Sequence, residues 1–493
     1  MTSAETNPFL PDSSIVEFSD LDLTKRIDKT EFSRWHVYVI LALGVTWIFD
    51  GYEVSMLSLA SIELKEYFSK DDQEITLIAS CYLMGCCCGA LFFGFLASKY
   101  GRKRLFSITL LIYIFSIIAI SCSWKYYQLL IFRFMTGLGV GGEYTAIFAA
   151  IDELVPPEMR GRVDIILDGS WHFGSFCASV ISLLFYWIFT LKSNVWRALF
   201  IFGGLGAFPI VYLRRGIPES PRWLIYQGRV NEAEVIIRHI EKCSQENSFA
   251  GFQSQSNENN LHNNNRSIEG KIHNNRKDST LSVIWDYFWN KHPKRVILGM
   301  TMITSQAFFY NGIFYTYALI LNQFYGVSKE INGVYMIPLS LASFAGPIFI
   351  APHFDTWGRK QMICLSYTLS SLLLFICALL FYYNVLNLFN QCLFWFIVFF
   401  IASPGASSAH LTISELFPVE IRSQAMAIFF ALGLGIGGVV APYFFGILIA
   451  ESSRGYVAIG YMISAFFMLI GGIVGWFFGV EAEGKSLEEL RNL

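Results

Sequence analysis

The chain has 493 residues, of which 54% are hydrophobic and only 15% carry a charge. A soluble globular protein carries about 25% charged residues, so this composition excludes a soluble globular fold. The formal net charge of -2 also argues against nucleic acid as a partner.

Apolar segments of about 20 residues recur along the whole chain, and each is long enough to cross a bilayer as a helix. A soluble core does not bury so many such segments. The sequence therefore predicts an all-α integral membrane protein. The twelve predicted spans cover residues 36–60, 75–98, 104–123, 127–151, 165–190, 196–214, 295–321, 333–354, 361–383, 387–411, 423–449 and 456–480.

The segments outside the spans differ in character. Residues 1–35 are polar and acidic, without a signal-peptide-like apolar stretch, and are predicted to form a mobile tail. Residues 215–294 form a long central loop whose Asn-rich middle is predicted to be disordered. Its flank from Ser220 to Cys243 has helical spacing instead. Residues 481–493 form a short second tail.

Lys and Arg residues predict the orientation. Most of the 36 basic residues lie in segments on the same side as the N-terminus. Because basic residues accumulate on the cytoplasmic side of membrane proteins, both tails and the central loop are predicted to be cytoplasmic. The predicted location is the inner or plasma membrane of the cell.

Two short phrases occur twice in the same order. "KYGRK" at residues 99–103 returns as "TWGRK" at residues 356–360, and "DELVPPEMRGR" at residues 152–162 returns as "SELFPVEIRSQ" at residues 414–424. An ordered repeat of this kind indicates one structural unit written twice. We therefore predict two pseudo-symmetric six-helix bundles, at residues 36–214 and 295–480.

Six plus six spans with "GRK" between the second and third resemble the major facilitator superfamily. "RFMTGLGVGGEY" in span four, "PESPRWL" after span six, "SQAFFYNGIFYTYAL" in span seven and "EAEGKSLEEL" after span twelve are similar to segments of sugar porters and organic cation transporters. The whole pattern is most similar to a bacterial group of metabolite transporters related to sugar porters and metabolite–proton symporters. The resemblance covers about residues 36–490.

The resemblance implies alternating access, in which the two bundles rock about a central site near the bilayer midplane. It also implies a cytoplasmic gate of ion pairs between helix ends. The first copy departs from the family pattern, since Ser98 and Lys99 follow Ala97 where an Asp is usual. Its gate is therefore expected to be weaker than usual or to use different ion pairs. Plain positive-inside charge is the alternative. The predicted gate residues are Gly101, Arg102, Glu153, Arg160, Arg162, Asp355, Gly358, Arg359, Glu415 and Arg422.

Ionisable residues within a span are costly and are functional candidates by default. "GYEV" in span one is similar to the "GYDxGV" of sugar porters, whose acid pairs with a span-four Arg in proton-coupled members. Glu53 is therefore the predicted proton carrier and Arg133 its modulator. Asp50 lies three residues earlier, on nearly the same helix face, and two such close acids favour one protonated carboxyl. A fixed structural ion pair is the alternative, and Glu143 stays open between function and helix packing.

Polar residues in spans five and seven are the predicted substrate-binding set. Asp168 and His172 lie four residues apart on one face of span five, the span that lines the cavity in sugar porters. Together they can bind an amine or a hydroxyl, or pass a proton. The alternative is a His172 satisfied by Asp168 and distant from substrate. Gln306, Asn311 and Tyr315 match the substrate-binding segment of sugar porters in span seven.

These features predict a secondary active transporter that moves a small polar organic metabolite by proton symport and functions as a monomer. A passive facilitator of a sugar-like or aromatic solute and a transporter-like nutrient sensor are the alternatives. The sugar-porter set is only partly kept, so a hexose is not the default. The acidic first half suits a cation or a zwitterion. A ring fits aromatic walls predicted at Phe308, Phe309, Tyr310, Phe314, Tyr315 and Tyr317.

No enzyme activity, cofactor or metal is predicted. The sequence contains no nucleotide-binding loop and no Ser–His–Asp arrangement. The run Cys86–Cys88 is interpreted as packing, because consecutive helical residues point in different directions and cannot easily share one ion. The predicted partners are a small-molecule substrate, protons and the lipid bilayer.

Overall fold

The computed structural model describes residues 23, 26, 30–155, 157–189, 194–214, 216–247, 285, 287–416 and 419–479. Within these ranges the side chains of some helix-end residues are not described. The Asn-rich middle of the central loop, predicted to be disordered, lies outside the described residues. So does the tail at residues 481–493.

The described chain is helical, and the prediction of twelve spans is confirmed. Ten of the described spans are long and apolar enough to cross a bilayer, by length and composition, and spans four and seven complete the bundle. Span six is interrupted at Ala207, and span eleven contains a short π-helical stretch, Leu434–Val439. The spans in chain order are Arg34–Phe68, Asp72–Tyr100, Arg102–Ser121, Tyr126–Leu154, Pro157–Ile188, Val195–Gly206 with Phe208–Arg214, Pro293–Tyr325, Asn332–Trp357, Arg359–Tyr382, Leu388–Leu416, Val419–Gly433 with Val440–Ala450, and Arg454–Phe478.

The packing of the helices repeats after six spans. Span two packs on span four, span one on spans five and six, and span three on spans four and six. The same pairs recur as eight on ten, seven on eleven and twelve, and nine on ten and twelve. The two halves meet where span five packs on span eight and where span two packs on span eleven. Moving six spans along the chain turns the contact of span five with span eight into that of span eleven with span two. The two contacts are therefore equivalent, as expected for pseudo-symmetric bundles.

Single positions repeat as well. Gly101 and Gly358 both have a left-handed backbone, with φ of 85° and 100°, which glycine adopts without steric cost. The spacing along the chain between Gly101 and Gly358 is also the spacing between two arginines, Arg197 and Arg454, at the starts of spans six and twelve. Arg197 donates to the Ser121 carbonyl at 2.5 Å and lies over the ring of Trp196. Arg454 donates to the Phe324 carbonyl at 3.1 Å and lies over neighbouring rings in the same way. The sequence analysis did not find this pair.

We call the side where span one begins and span twelve ends the terminal face, and the other side the opposite face. On the terminal face the central loop forms two helices, Pro221–Tyr226 and Val230–Asn247, which confirms the helical spacing predicted there. Arg26 donates to both carboxylate oxygens of Glu241, at 2.8 and 2.6 Å. This bond raises the pKa of the Arg26 guanidinium. Leu23 packs without solvent exposure on Ile237. The prediction of a mobile tail is therefore wrong at Leu23 and Arg26.

Glycines bring spans two and four into backbone contact. A Cβ added at Gly85 or Gly89 would lie 2.1 or 2.2 Å from a carbonyl oxygen of span four. At Gly137 or Gly141 it would lie 2.0 Å from one of span two. Small residues at these positions therefore allow the two helices to pack at close range, as is typical of membrane bundles.

Gly141→Ala is expected to lower stability by about 1–3 kcal/mol, because the new methyl group meets the Cys86 backbone and the helices must separate. Gly435→Ala is the matched control, since its Cβ would have only the Cys87 sulfur near it, at 3.7 Å. Thermal unfolding of both variants in lipid nanodiscs measures the difference. Equal melting temperatures for the two would contradict the close-contact account.

Candidate transport site

A cavity of about 160 Å³ lies between the two halves. Its walls come from spans one, two, four and five of the first half and from spans seven, ten and eleven of the second. All five predicted substrate-binding residues line it, and so does Asp50. The lining residues are Trp47, Asp50, Val54, Tyr82, Leu83, Cys86, Tyr144, Asp168, Trp171, His172, Ile303, Gln306, Ala307, Tyr310, Asn311, Tyr315, Ala406, Ala409, Phe430 and Leu434.

Asp50 is held at the cavity wall by donors from three other helices. Its carboxylate accepts hydrogen bonds from the Tyr82 hydroxyl at 2.7 Å, the Trp171 indole Nε1 at 2.7 Å and the Tyr144 hydroxyl at 3.0 Å. Three donors compensate part of the cost of burying a carboxylate. The sequence analysis had paired Asp50 with Glu53. In the structure only Asp50 faces the cavity.

Glu53 forms an ion pair with Arg133, and both side chains are shielded from solvent, with exposed fractions of 1% and 0%. The guanidinium lies 5.6 Å from the ring of Tyr82 and 5.1 Å from that of Phe200. Tyr82 therefore contacts Arg133 with its ring and Asp50 with its hydroxyl. Glu53 Oε2 and Arg133 Nε find no hydrogen-bond partner among the described residues. The predicted pairing is present, and its role in coupling stays a prediction.

Asp168 connects the two halves, because it accepts a hydrogen bond from the Ser407 hydroxyl of span ten. His172 instead packs between aromatic rings, 5.2 Å from Trp171 and 5.9 Å from Tyr310. Within the described part of the chain, His172 Nδ1 and the Tyr310 hydroxyl are buried without a hydrogen-bond partner. Two unsatisfied polar groups at a cavity wall are available to a ligand.

The span-seven amides differ in what they can offer. Gln306 Nε2 donates to the Ala402 carbonyl at 3.2 Å, while its Oε1 is buried without a partner in the described structure. Asn311 Nδ2 donates to the Ala307 carbonyl of its own helix at 2.8 Å. Each amide therefore has one polar atom engaged by the backbone. The carbonyl oxygen of Gln306 remains for a solute.

Aromatic rings form much of the cavity wall. Tyr144 stacks on Phe430 with 4.8 Å between ring centroids, across the seam between the halves. Trp171 packs against Tyr310 at 5.8 Å, also across that seam. Of the aromatic wall predicted from span seven, only Tyr310 and Tyr315 line the cavity. The prediction missed the rings from other spans, because the residue pattern of one helix does not show which other helices converge at the cavity.

Three of the ten predicted gate residues have described side chains, namely Gly101, Arg102 and Gly358. The side chains of seven predicted gate residues lie outside the described structure, so the gate stays a prediction. At the first GRK turn, Glu219 accepts from the backbone N–H groups of Arg102 at 2.9 Å and Lys103 at 3.2 Å. A carboxylate at the start of a helix is stabilising, and this role of the "PES" glutamate was missed. The seven residues are Glu153, Arg160, Arg162, Asp355, Arg359, Glu415 and Arg422.

Glu143 belongs to a second buried ion pair. Arg214, at the end of span six, donates to its two carboxylate oxygens at 3.1 and 2.9 Å. Arg214 also donates to the Thr46 hydroxyl at 2.6 Å and the Phe106 carbonyl at 3.1 Å. The pair therefore joins four helices.

The halves also meet on the opposite face. Ser58 donates to the Phe314 carbonyl at 2.8 Å, and Gln73 Nε2 donates to the Tyr443 hydroxyl at 2.5 Å. Lys329 forms an ion pair with Glu66 across the same seam. These contacts join the halves between the cavity and the opposite face.

A cavity with polar groups, enclosed between two repeated six-helix bundles, defines a membrane transporter of the major facilitator superfamily. The model of the family described as sugar (and other) transporter matches residues 37–493. The chain belongs to this family, which is one of transporters.

Individual relatives match most of the chain. A niacin transporter of Acinetobacter baylyi is 25% identical over 472 residues, 95% of this chain and 100% of that protein. A low-affinity glucose transporter of Saccharomyces cerevisiae is 26% identical over 462 residues, 85% of this chain and 72% of that protein. The solved structure of the proton:xylose symporter XylE bound to 6-bromo-6-deoxy-D-glucose matches with a TM-score of 0.71 and 20% identity, covering 93% of this chain and 99% of that one.

Arg133→Met is expected to destabilise the protein by about 3–5 kcal/mol, because it leaves the Glu53 carboxylate buried without its counter-charge. The double variant Glu53→Gln/Arg133→Met removes both charges and is expected to recover most of that loss. Unfolding of both variants in detergent, followed by tryptophan fluorescence, gives the comparison. A double variant that is less stable than Arg133→Met would contradict this account.

Proposed function

We propose that the chain is a proton-coupled symporter of a small planar heteroaromatic acid, working by alternating access in the plasma membrane with both termini in the cytoplasm. The single observation that carries the proposal is the cavity itself, which combines aromatic walls with two carboxylates, Asp50 and Asp168. The niacin transporter among the relatives supports a pyridine ring as the substrate class.

The charges of the cavity give a physical reason for coupling. Its lining residues include two carboxylates, and no Lys or Arg belongs to this described set. A carboxylate-bearing ring is therefore repelled while both acids are ionised. A proton on one of them weakens that repulsion, so the anion and the proton enter best together. Tyr144, Trp171 and Gln306 all line the cavity, so aromatic faces and an acceptor oxygen are both present for such a ring.

Glu53 and Arg133 form the proposed proton switch. In the described state Arg133 stabilises the ionised form of Glu53. If rocking of the halves separates the pair, an isolated carboxylate in an apolar bundle is too costly and takes up a proton. Tyr82 lies between this pair and Asp50. It is thus placed to transmit a change at the pair to the cavity wall.

A passive facilitator is the second candidate function. It is favoured by one observation, namely that Glu53 and Arg133 are so thoroughly buried that a permanent structural pair is also consistent with the geometry. In that case transport would not need a proton gradient. The two candidates differ in whether Glu53 changes its protonation state during the cycle.

Reconstituted protein with a pH dye inside the liposomes distinguishes the candidates. Adding pyridine-3-carboxylate outside is expected to acidify the lumen, and Glu53→Gln is expected to abolish that signal. The matched control is Glu232→Gln, an exposed glutamate on the terminal-face helix, which should behave as wild type. Uptake of labelled substrate with no acidification, unchanged in Glu53→Gln, would establish the facilitator.

Asp168→Asn tests the charge argument. It keeps an acceptor for Ser407 but removes one negative charge, so pyridine-3-carboxylate is expected to bind about fivefold tighter at high pH, a change of about 1 kcal/mol. The neutral amide of the same ring should bind with unchanged affinity. Quenching of tryptophan fluorescence measures both, since Trp47 and Trp171 line the cavity. Equal effects on acid and amide would contradict repulsion as the basis of coupling.

A further inference from the structure

A second, much smaller cavity lies beside the central one, among spans one, three and four. Its volume is about 10 Å³, the space that one water molecule needs. A buried water also needs two to four polar partners. The lining supplies them. It consists of Thr46, Trp47, Asp50, Tyr113, Val140, Glu143, Tyr144 and Ile147.

The two carboxylates in this lining belong to different networks. Asp50 also faces the central cavity, whereas Glu143 does not line it and is only 3% exposed. Asp50 Oδ1 accepts from Tyr82, and Glu143 Oε2 accepts from Arg214. Each of these oxygens has a second lone pair that can accept from a water.

The charged and titratable groups around the two acids differ in sign. Asp50 is faced by uncharged donors, the tyrosines of spans two and four and the tryptophan of span five. It is also close to two carboxylates, that of Glu143 and that of Glu53 on its own span. Glu143 is faced by the guanidinium of Arg214 from span six. Thr109 and Tyr113 approach it from span three. The ionised form is therefore stabilised more strongly at Glu143, by a full positive charge, than at Asp50, which has neutral donors and a like charge beside it. A proton is thus held by Asp50 at rest, and it moves to Glu143 only when the charges around the two acids change.

We propose that one bound water in this small cavity joins Asp50 to Glu143 and makes Glu143 a proton-relay residue for the central cavity. The Asp50 acid gives its proton to the water while the water gives one of its own to a Glu143 oxygen. One O–H bond breaks and one forms at the water, which is left unchanged. Asp50 becomes ionised and Glu143 becomes neutral.

The relay has a mechanical consequence through Arg214. A neutral Glu143 no longer balances the guanidinium, which at the same time holds span one at Thr46 and span three at Phe106. Arrival of the proton therefore weakens the contact that fastens span six to span four. Its role in transport rests on the proposed proton symport, but the transfer between the two acids does not.

The transfer can be tested without any substrate, by infrared spectroscopy of the lipid-reconstituted protein after a rapid drop in pH. Asp50→Asn and Glu143→Gln assign the two carboxylic-acid bands. Val140→Ile adds a methyl group at the small cavity and excludes the water, while Val140→Ala, at the same position, enlarges the cavity and serves as the control for folding.

If the relay is correct, the protonated Glu143 band appears at least about ten times more slowly in Val140→Ile than in wild type. This change in rate corresponds to a barrier increase of about 1.4 kcal/mol or more. The Asp50 band should rise at its normal rate, and Val140→Ala should leave both rates unchanged. Asp50→Asn should slow Glu143 as Val140→Ile does. A Glu143 band that rises equally fast in all of these variants would overturn the relay, whatever the liposome assay shows about symport.

Discussion

Burying a charge in a membrane bundle requires a partner from another helix, and this requirement organises the first half of the protein. Glu53 takes Arg133 from span four, and Glu143 takes Arg214 from span six. Glu63, near the far end of span one, accepts from two backbone N–H groups at the start of span six, at 2.9 and 3.1 Å. In each case an unpaired charge would cost several kcal/mol. Each pair therefore fixes which spans are neighbours.

Among the described residues, the second half repeats the helix packing without repeating the buried carboxylates. The aromatic surroundings of Arg197 and Arg454 show that the repeat extends to single residues at the helix ends. At the cavity, however, the second half contributes amides, small residues and rings. The result is a division between the bundles: the first half holds the acids on which protons can reside, and the second supplies much of the wall against which a ring can pack. Under the proposed symport, a proton and a solute would then act mainly on opposite sides of one seam.

Much of this could be predicted from the chain alone. Hydropathy and two repeated phrases were sufficient for twelve spans in two related bundles, because length and apolar character are local properties. The resemblance at "GYEV" placed Glu53 opposite Arg133. The partners of Asp50 and of Glu143 could not be found, because Tyr82, Trp171 and Arg214 converge only through helix packing. Glu219 was missed for the same reason, since its two hydrogen-bond donors lie more than a hundred residues earlier.

The central claim is that solute movement is tied to proton movement by the buried acids. Its most direct test is the accumulation of labelled pyridine-3-carboxylate in proteoliposomes held at zero membrane potential with an alkaline lumen. The account predicts an internal concentration above the external one, which collapses when an ionophore dissipates the pH gradient. Carrier-mediated uptake that stops at equal concentrations, with or without the gradient, would contradict it.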